Sequence, residues 1–267
     1  MEIDSAVPHS ARIWNYWLGG KENYLIDREV GDAFIQIYPG QVDIARHSRA
    51  FLGRAVRYLA AEAGVRQFLD VGTGLPTVDN THEVAQRVAP DARIVYVDND
   101  PLVLTHARAL LTSTTAGATA YIHADVRAPN TIVARAAETL DFSQPVALLL
   151  LGILGHIPDG ADPEGILAKL VGAIAPGSFV VISDGTDVLG QPAGGTDETA
   201  RARAIAHYVK AGGTAYHLRP PERIAAFFDG MELVEPGVVP VSRWRAEPSP
   251  FGEPPQVDAF CGVGRLP

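Results

Sequence analysis

The sequence predicts an α/β fold in which a mostly parallel sheet carries helices on both faces. Between residues 67 and 183, short apolar runs typical of buried strands alternate with amphipathic runs typical of helices. The first strand leads through Gly72-Thr73-Gly74 into a helix-like segment, which indicates a strand, loop and helix crossover. Such alternation is typical of parallel strands with right-handed connections, whose ligands bind beyond the carboxyl ends of the strands.

The predicted elements follow one another closely along the chain. The strands are 67–71, 93–98, 118–123, 146–151 and 178–183, and the helices between them are 79–88, 101–111, 130–139 and 162–174. A loop rich in Gly and Pro follows, and the remaining predictions are helices over 197–211 and 220–228 and strands within 231–245 and 257–264.

Residues 1–66 precede the first strand and are predicted to be largely helical. Helices over 11–18, 27–38 and 42–63 are separated by Gly19-Gly20 and Pro39-Gly40. The extension is longer than the sheet requires. By analogy with related folds, we predict an N-terminal helical lid over residues 1–66 and a core domain over 67–267.

Composition narrows the class of protein. The chain has 267 residues, 47% apolar and 20% charged, which is typical of a globular protein with a full core. Its net charge of −9 makes nucleic acid a poor candidate partner. With a single cysteine, Cys261, and no cluster of metal-ligand spacing, we expect no metal. We expect a cytoplasmic protein without a membrane partner, since neither a secretory signal nor a spanning apolar run is present.

Carboxylates follow three successive predicted strands. Asp70 ends the first strand, Asp98 ends the second, 24 residues after Gly74, and Asp125 follows the third. A carboxylate with the spacing of Asp98 can accept the hydroxyl groups of a ribose. Asp125, beside Val126, could accept the amino group of an adenine. The sequence therefore predicts a nucleoside site at this edge of the sheet.

The charge of Asp70 selects among nucleosides. A carboxylate at the mouth of the glycine loop repels a pyrophosphate but attracts an ammonium or sulfonium group. The third position of a dinucleotide fingerprint, usually Gly or Ala, is Thr77 in this chain. NAD is therefore the poorest fit, and S-adenosylmethionine (SAM) fits best.

These residues resemble the class I SAM-dependent methyltransferases, and more closely the actinobacterial S-adenosyl methyltransferase family. The resemblance implies a Rossmann-like fold with a seven-stranded sheet whose last strand is antiparallel, SAM as the cofactor, and methyl transfer as the activity. It implies no particular substrate. The blocks that carry it are Arg12–Tyr24, Asp70–Thr77, Val95–Pro101, Gly177–Ser183 and Glu235–Trp244. Candidate cofactor contacts in the core are Asp70, Gly72, Thr73, Gly74, Asp98, Asn99, Asp125 and Val126.

The aromatic segment around Gly19-Gly20 has two interpretations. It could be an amphipathic helix that simply buries its aromatic side chains. Alternatively it is a gate, in which the glycines hinge and the aromatics shield the sulfonium from water. On the gate interpretation Tyr16, Gly20 and Lys21 contact the cofactor, with Lys21 near its methionine carboxylate, and Tyr24 is a candidate catalytic residue.

His156 and Asp184 are the other candidate catalytic residues. His156 follows the fourth strand and could remove a proton from the substrate, or cap the turn before Pro158. Asp184 follows the fifth strand and could act as a base or bind an amine, or cap the next turn. The family pattern has histidines where this chain has Gly155 and Asp184.

The leading hypothesis is a SAM-dependent methyltransferase acting on an oxygen, nitrogen or carbon atom of a small molecule, for example in specialised metabolism. Two alternatives stay open. One is an enzyme of the same fold that uses SAM for cyclisation or elimination. The other is a non-catalytic module that binds SAM or S-adenosylhomocysteine and regulates a partner.

Overall fold

The computed structural model describes residues 4–103, 105, 113–190, 198–248, 250 and 252–267. The helices are α1 (Ser10–Trp17), α2 (Leu25–Ile37), α3 (Gln41–Ala61), α4 (Thr81–Val88), α5 (Pro129–Ala136), α6 (Pro163–Val171), α7 (Ala200–Lys210) and α8 (Pro221–Ala226). The strands are β1 (Gln67–Val71), β2 (Arg93–Asp98), β3 (Ala118–His123), β4 (Ala147–Leu151), β5 (Phe179–Gly185), β6 (Glu232–Leu233), β7 (Val239–Pro240) and β8 (Ala259–Arg265). Most of the predicted helix 101–111 and part of the loop 185–196 lie outside the described residues.

One sheet contains every strand of the described residues, in the order β3-β2-β1-β4-β5-β8-β6, with β7 also paired to β8. The first five strands are parallel, and β8 is antiparallel to β5. The predicted α/β fold with a mostly parallel sheet is therefore confirmed.

The sheet has eight strands rather than the seven expected. The predicted strand within 231–245 is split into β6 and β7, and both pair with β8. Between them the Gly237 N–H donates to the Val234 carbonyl at 2.9 Å and closes a turn. Pro240 offers no N–H to the sheet, which keeps β7 short.

The inner strands read as continuous apolar runs because both faces of the sheet are covered. Alternate residues point to opposite faces, so Phe68 and Leu149 join α3 and α4 in one hydrophobic cluster. Leu69 and Leu148 join α5, α6 and α8 in a second cluster on the other face. No helix among the described residues is both long and apolar enough to cross a bilayer.

The N-terminal helices differ in their packing partners. Helix α3 packs into the sheet cluster through residues such as Phe51 and Leu59. Helices α1 and α2 instead pack against α7 in a separate small cluster, which includes Ile13, Phe34 and Tyr208. The predicted domain boundary at residue 66 stays a prediction, and α3 shares its core with residues on the far side of that boundary.

Trp244 links the C-terminal segment to α3. Its indole is fully buried, with ring centroids 5.5 Å from Phe51 and 5.9 Å from Tyr58. We expect Trp244→Ala to lower the free energy of unfolding by about 3–5 kcal/mol, because the cavity left behind cannot fully collapse. Urea denaturation followed by circular dichroism measures the loss. Trp244→Phe, which keeps a ring, should lose less, and equal losses in the two variants would contradict this packing role.

Candidate functional site

A cavity of about 350 Å³ runs along the carboxyl edge of the sheet. Residues at the ends of β1, β2, β4 and β5, after β3, and at the start of β8 line it. Strands lie about 4.8 Å apart, so the five steps from β3 to β8 span roughly 24 Å. We call the part beneath β1, β2 and β3 the carboxylate half, and the part beyond β4 the distal half. An aromatic and aliphatic roof covers the cavity, formed by Trp14, Trp17, Phe34, Leu52 and Ile205.

Two glycines shape the loop after β1. Gly72 and Gly74 have φ angles of +79° and +67°, a left-handed conformation that favours glycine. A Cβ atom on Gly72 would lie 2.7 Å from the side chain of Ile153, whereas one on Gly74 would meet nothing within 4 Å. The loop therefore packs closely at Gly72 and leaves open space beside the backbone at Gly74.

The loop is tied to β2 and to the start of α4. The Gly72 N–H donates to the Val97 carbonyl at 2.8 Å, and Thr73 N–H donates to the same oxygen at 3.2 Å. Further along, the Asn80 side chain accepts from the Thr77 N–H at 3.0 Å and donates to the Thr77 carbonyl at 2.7 Å. These bonds hold the loop in place without a ligand.

Asp70 and Asp98 are buried at neighbouring strand ends. Asp70 accepts a hydrogen bond from the Thr81 hydroxyl at 2.6 Å, and its burial raises its pKa to about 6. Asp98 accepts one backbone N–H on each oxygen, from Gly74 at 2.8 Å and from Asp100 at 2.9 Å. Burial also raises the pKa of Asp98, against the opposing effect of these two donors. The charge of the Arg49 guanidinium opposes this shift at Asp70, yet the pKa of both carboxyl groups stays above its usual value.

The residues after β3 are more open. Asp125 accepts from the Arg127 guanidinium at 2.9 and 2.5 Å, and this bonding lowers the pKa of Asp125. Val126 beside it is buried, and Asn99 is exposed at the end of β2. All of these residues line the carboxylate half of the cavity.

His156 lies in the segment that follows β4 in the chain, and it lines the cavity. Its Nδ1 lies 3.2 Å from the Ala215 carbonyl oxygen. Because a carbonyl only accepts, Nδ1 carries the proton in this contact and Nε2 keeps its lone pair. Burial lowers the pKa of His156, so the ring is neutral at pH 7. The side chain thus has the tautomer of a proton acceptor.

Asp184 lies at the end of β5 and is fully engaged by donors. It accepts from the Tyr216 hydroxyl, from Arg219 at 3.2 Å and from the Gly185 N–H at 3.1 Å. Burial raises the pKa of Asp184, while these partners oppose that shift. A Cβ atom on Gly155 would overlap the Tyr216 ring. Tyr216 therefore fills the space that a side chain at position 155 would need.

The described lining of the cavity does not include the four predicted gate residues. The Tyr16 hydroxyl donates to Asp32 at 2.7 Å. Gly20 donates its N–H to the Asn15 carbonyl at 2.8 Å, and Lys21 is exposed. The roles predicted for these residues remain predictions.

Tyr24, the candidate catalytic residue of the gate, packs below the glycine loop. Its ring centroid lies 5.2 Å from the Arg12 guanidinium carbon, and its side chain contacts the small cluster around Leu75. From the same segment, Trp14 and Trp17 do line the cavity. Part of the aromatic segment therefore covers the site while Tyr24 supports the loop.

The cavity lining also includes polar residues that the sequence did not predict, among them Arg49, Gln41 and Arg201. Arg49 donates to the Thr77 hydroxyl, and the charge of Asp70 acts on it. A signal existed for the two arginines. Arg49 lies between Ala45 and Leu52 on the inner stripe of α3, and Arg201 precedes Ile205 by one turn on α7. A charged residue within an apolar stripe is a recognisable anomaly.

Comparison with known proteins identifies the family. A sequence profile described as S-adenosyl methyltransferase matches residues 1–267. The chain belongs to this family. A DUF574 family protein from Streptomyces avermitilis shares 40% identity, with a TM-score of 0.92 and full coverage of both chains. A putative methyltransferase from Thermobifida fusca also shares 40% identity, with a TM-score of 0.86 over 98% of this chain and 96% of its own.

More distant structures share the fold alone. A SAM-dependent methyltransferase from Anabaena variabilis aligns over both full chains with a TM-score of 0.51 and 15% identity. The plantazolicin methyltransferase BpumL, in complex with SAH, aligns over 96% of this chain and 95% of its own with a TM-score of 0.52 and 12% identity. A search of curated proteins found no match.

The protein is thus a SAM-dependent methyltransferase of class I fold, and SAM is its cofactor. The carboxylate half fits that group. Asp70 and Asp98 are buried acids whose pKa values stay raised, so a cationic ligand would lower the cost of their burial. The space beside Gly74 would be filled by any side chain. Within the described residues, no group of three or more His, Cys, Asp or Glu side chains could hold a metal ion.

The raised pKa of Asp70 makes the stability of the enzyme depend on pH. The folded state keeps the Asp70 proton up to a pKa of about 6, whereas the unfolded chain releases it near 3.8. Since the folded state binds more protons between these values, stability falls as the pH rises through them. We expect Asp70 to lower the free energy of unfolding by about 1 kcal/mol between pH 5 and pH 7.

Urea denaturation of the wild type and Asp70→Asn at both pH values measures this contribution. The asparagine variant should lose that part of the pH dependence and keep the part that belongs to Asp98 and other groups. An identical pH dependence in the two proteins would show that Asp70 titrates as a solvated carboxyl group.

Proposed function

We propose that the enzyme transfers the methyl group to an oxygen, nitrogen or carbon atom of a small molecule of specialised metabolism, with His156 as the proton acceptor. The observation that carries this proposal is the position of His156. Its neutral ring, with Nε2 unprotonated, lines the cavity between the carboxylate half and the distal half.

The residues of the carboxylate half would hold SAM. Asp98 would accept the ribose hydroxyls, Asp125 the adenine amino group, and Asp70 would face the cationic end of the cofactor. Arg49, beside Asp70 and Thr77, is better placed than the exposed Lys21 to bind the methionine carboxylate. Bound SAM supplies a methyl group already activated on its sulfonium for an in-line displacement.

His156 would hold the substrate nucleophile by its proton. The Ala215 carbonyl fixes the ring through Nδ1, which directs the lone pair of Nε2 away from that contact. Because its pKa is lowered, the ring is free to accept a proton at neutral pH and then release it to solvent. The roof of Trp14, Trp17 and Phe34 would exclude water from the reacting atoms.

Two features favour a small-molecule methyltransferase over the alternatives. The distal half provides room beside the proposed SAM site, which a module that only binds SAM would not need. The net charge of −9 disfavours the phosphate backbone of a nucleic acid.

Isothermal titration with SAM, followed by mass spectrometry on a panel of small hydroxyl and amine compounds, tests this function. We expect SAM binding and a product that has gained one CH₂ unit in mass. Loss of SAM without a methylated product would favour cyclisation or elimination. Absence of SAM binding would overturn the cofactor site altogether.

Substitutions in the carboxylate half should weaken SAM binding. We expect Asp98→Ala to raise the Kd for SAM about 100-fold, because the two proposed hydrogen bonds from the ribose hydroxyls to the carboxylate are lost. We expect Arg49→Ala to raise the same Kd about 10-fold. Asp91→Ala and Arg46→Ala serve as controls in the same calorimetry. Asp91, just before β2, pairs with Arg66, and Arg46 on α3 pairs with Asp43; both side chains are exposed. Unchanged affinity in Asp98→Ala would remove the basis for the ribose contact.

His156→Gln should lower kcat by about 10²–10⁴-fold while leaving the Kd for SAM unchanged, since the variant loses only the proton acceptor. The initial rate of methylated product formation measures the effect. His207→Gln, an exposed histidine on α7, is the control and should behave as the wild type. Full activity in His156→Gln would assign the proton to another group or to solvent.

A further inference from the structure

Two residues that line the cavity carry buried polar atoms without a partner. Gln41 Oε1 and Arg201 Nε make no hydrogen bond in the described structure, and both residues line the cavity. Gln41 and Arg201 are each only 4% exposed. Buried polar groups normally have partners, so these atoms mark a place where a ligand completes the bonding.

We propose that the distal half binds a planar aromatic carboxylic acid, with its carboxylate on Arg201 and Gln41. This inference rests on the proposed function, because it names the substrate class of the same site. Tyr208 lies two turns further along α7, close to the backbone of Thr214, and is not part of the proposed contact.

Arg201 is positioned by the backbone rather than by an acid. Its Nη1 donates to the carbonyl oxygens of Thr186 and Asp258, and its guanidinium carbon lies 5.7 Å from the centroid of the Tyr38 ring. The ion pairs of the described residues do not include Arg201. A buried cation held only by neutral groups is costly, and an anionic ligand would offset that cost.

The nearest acids already serve other donors. The Asp258 carboxylate accepts from the Tyr38 hydroxyl at 3.1 Å and from two backbone N–H groups at 2.9 Å. Asp187 accepts from the Thr199 hydroxyl through Oδ2 while its Oδ1 has no partner, and Asp184 is paired with Arg219. These acids therefore reduce the net positive charge around Arg201, but none of them accepts a hydrogen bond from its Nε.

Gly185 allows Arg201 to approach the sheet. A Cβ atom at this position would lie 2.8 Å from Arg201 Nη2 and 2.9 Å from the Tyr216 ring. The guanidinium therefore lies at the end of β5, two strand spacings or roughly 10 Å from β1. His156 follows β4, the strand between them. A substrate anchored at Arg201 would extend past His156 toward the SAM loop.

Gln41 and the roof define the rest of the ligand. The Gln41 backbone N–H donates to the Tyr38 carbonyl at 3.3 Å, and the ring of the same tyrosine lies 5.7 Å from the Arg201 guanidinium carbon. The primary amide of Gln41 can present either N–H or oxygen to a ligand by rotation. Trp14 and Trp17 also line the cavity, and aromatic side chains pack favourably against an aromatic ring of a ligand.

The test measures binding, not turnover. S-adenosylhomocysteine is first titrated into the protein, and the saturated complex is then titrated with hydroxy- and aminobenzoates and with the primary carboxamide of each. We expect members of the acid series to bind about 10- to 100-fold more tightly than their carboxamides, since a hydrogen bond to a charged group is lost in the neutral analogue. Arg201→Gln should remove that preference, and Arg203→Gln, an exposed arginine on the same helix, should keep it.

The outcomes separate the two proposals. Failure to bind S-adenosylhomocysteine would overturn the proposed function. Binding of S-adenosylhomocysteine without binding of any benzoate, or equal affinity for acids and carboxamides, would overturn only the present inference. Should Arg201→Gln fail to fold, as judged by circular dichroism, the preference of the wild type for acid over carboxamide decides the question.

Discussion

The burial of two carboxylates at adjacent ends of a parallel sheet is the constraint on which the site depends. Parallel strands bring their carboxyl ends to one edge, so Asp70 on β1 and Asp98 on β2 share a desolvated region. Hydrogen bonds from Thr81 and from two backbone N–H groups reduce the cost, yet both pKa values stay raised. A hydroxylated ligand that carries a cation would lower the remaining cost of burying these two groups.

The strands of the inner sheet could be predicted from the sequence because they are buried on both faces. The predicted bounds 93–98 and 118–123 coincide with β2 and β3, because polar residues or turns interrupt the apolar pattern at each end. The segment 231–245 was harder, since the turn closed by Gly237 breaks one predicted strand into two short ones. That turn depends on pairing with β8, which is distant in sequence.

Only part of the site could be predicted from the sequence, because some of its residues depend on long-range packing. In a parallel sheet the order of strand ends in sequence maps onto neighbours in space, so Asp70, Asp98 and Asp125 could be placed along one edge. Arg49 and Arg201 come from helices whose packing over that edge no local pattern determines. The Gly19-Gly20 hinge stays a prediction. In this structure the Asn15 side chain accepts from the Glu22 N–H and the Asn23 amide, each at 3.0 Å.

The two halves of the cavity have opposite electrostatic character. Two acids with raised pKa values lie beneath β1 and β2, and Arg201, which takes part in none of the described ion pairs, lies at the end of β5. His156 follows β4, the strand between them. On the proposed reaction this polarity orients both reactants: the sulfonium is drawn toward Asp70 and the substrate carboxylate toward Arg201. The reacting atoms then meet beside a neutral imidazole. Because Arg219 and Tyr216 engage Asp184, its charge does not oppose that orientation at the centre of the cavity.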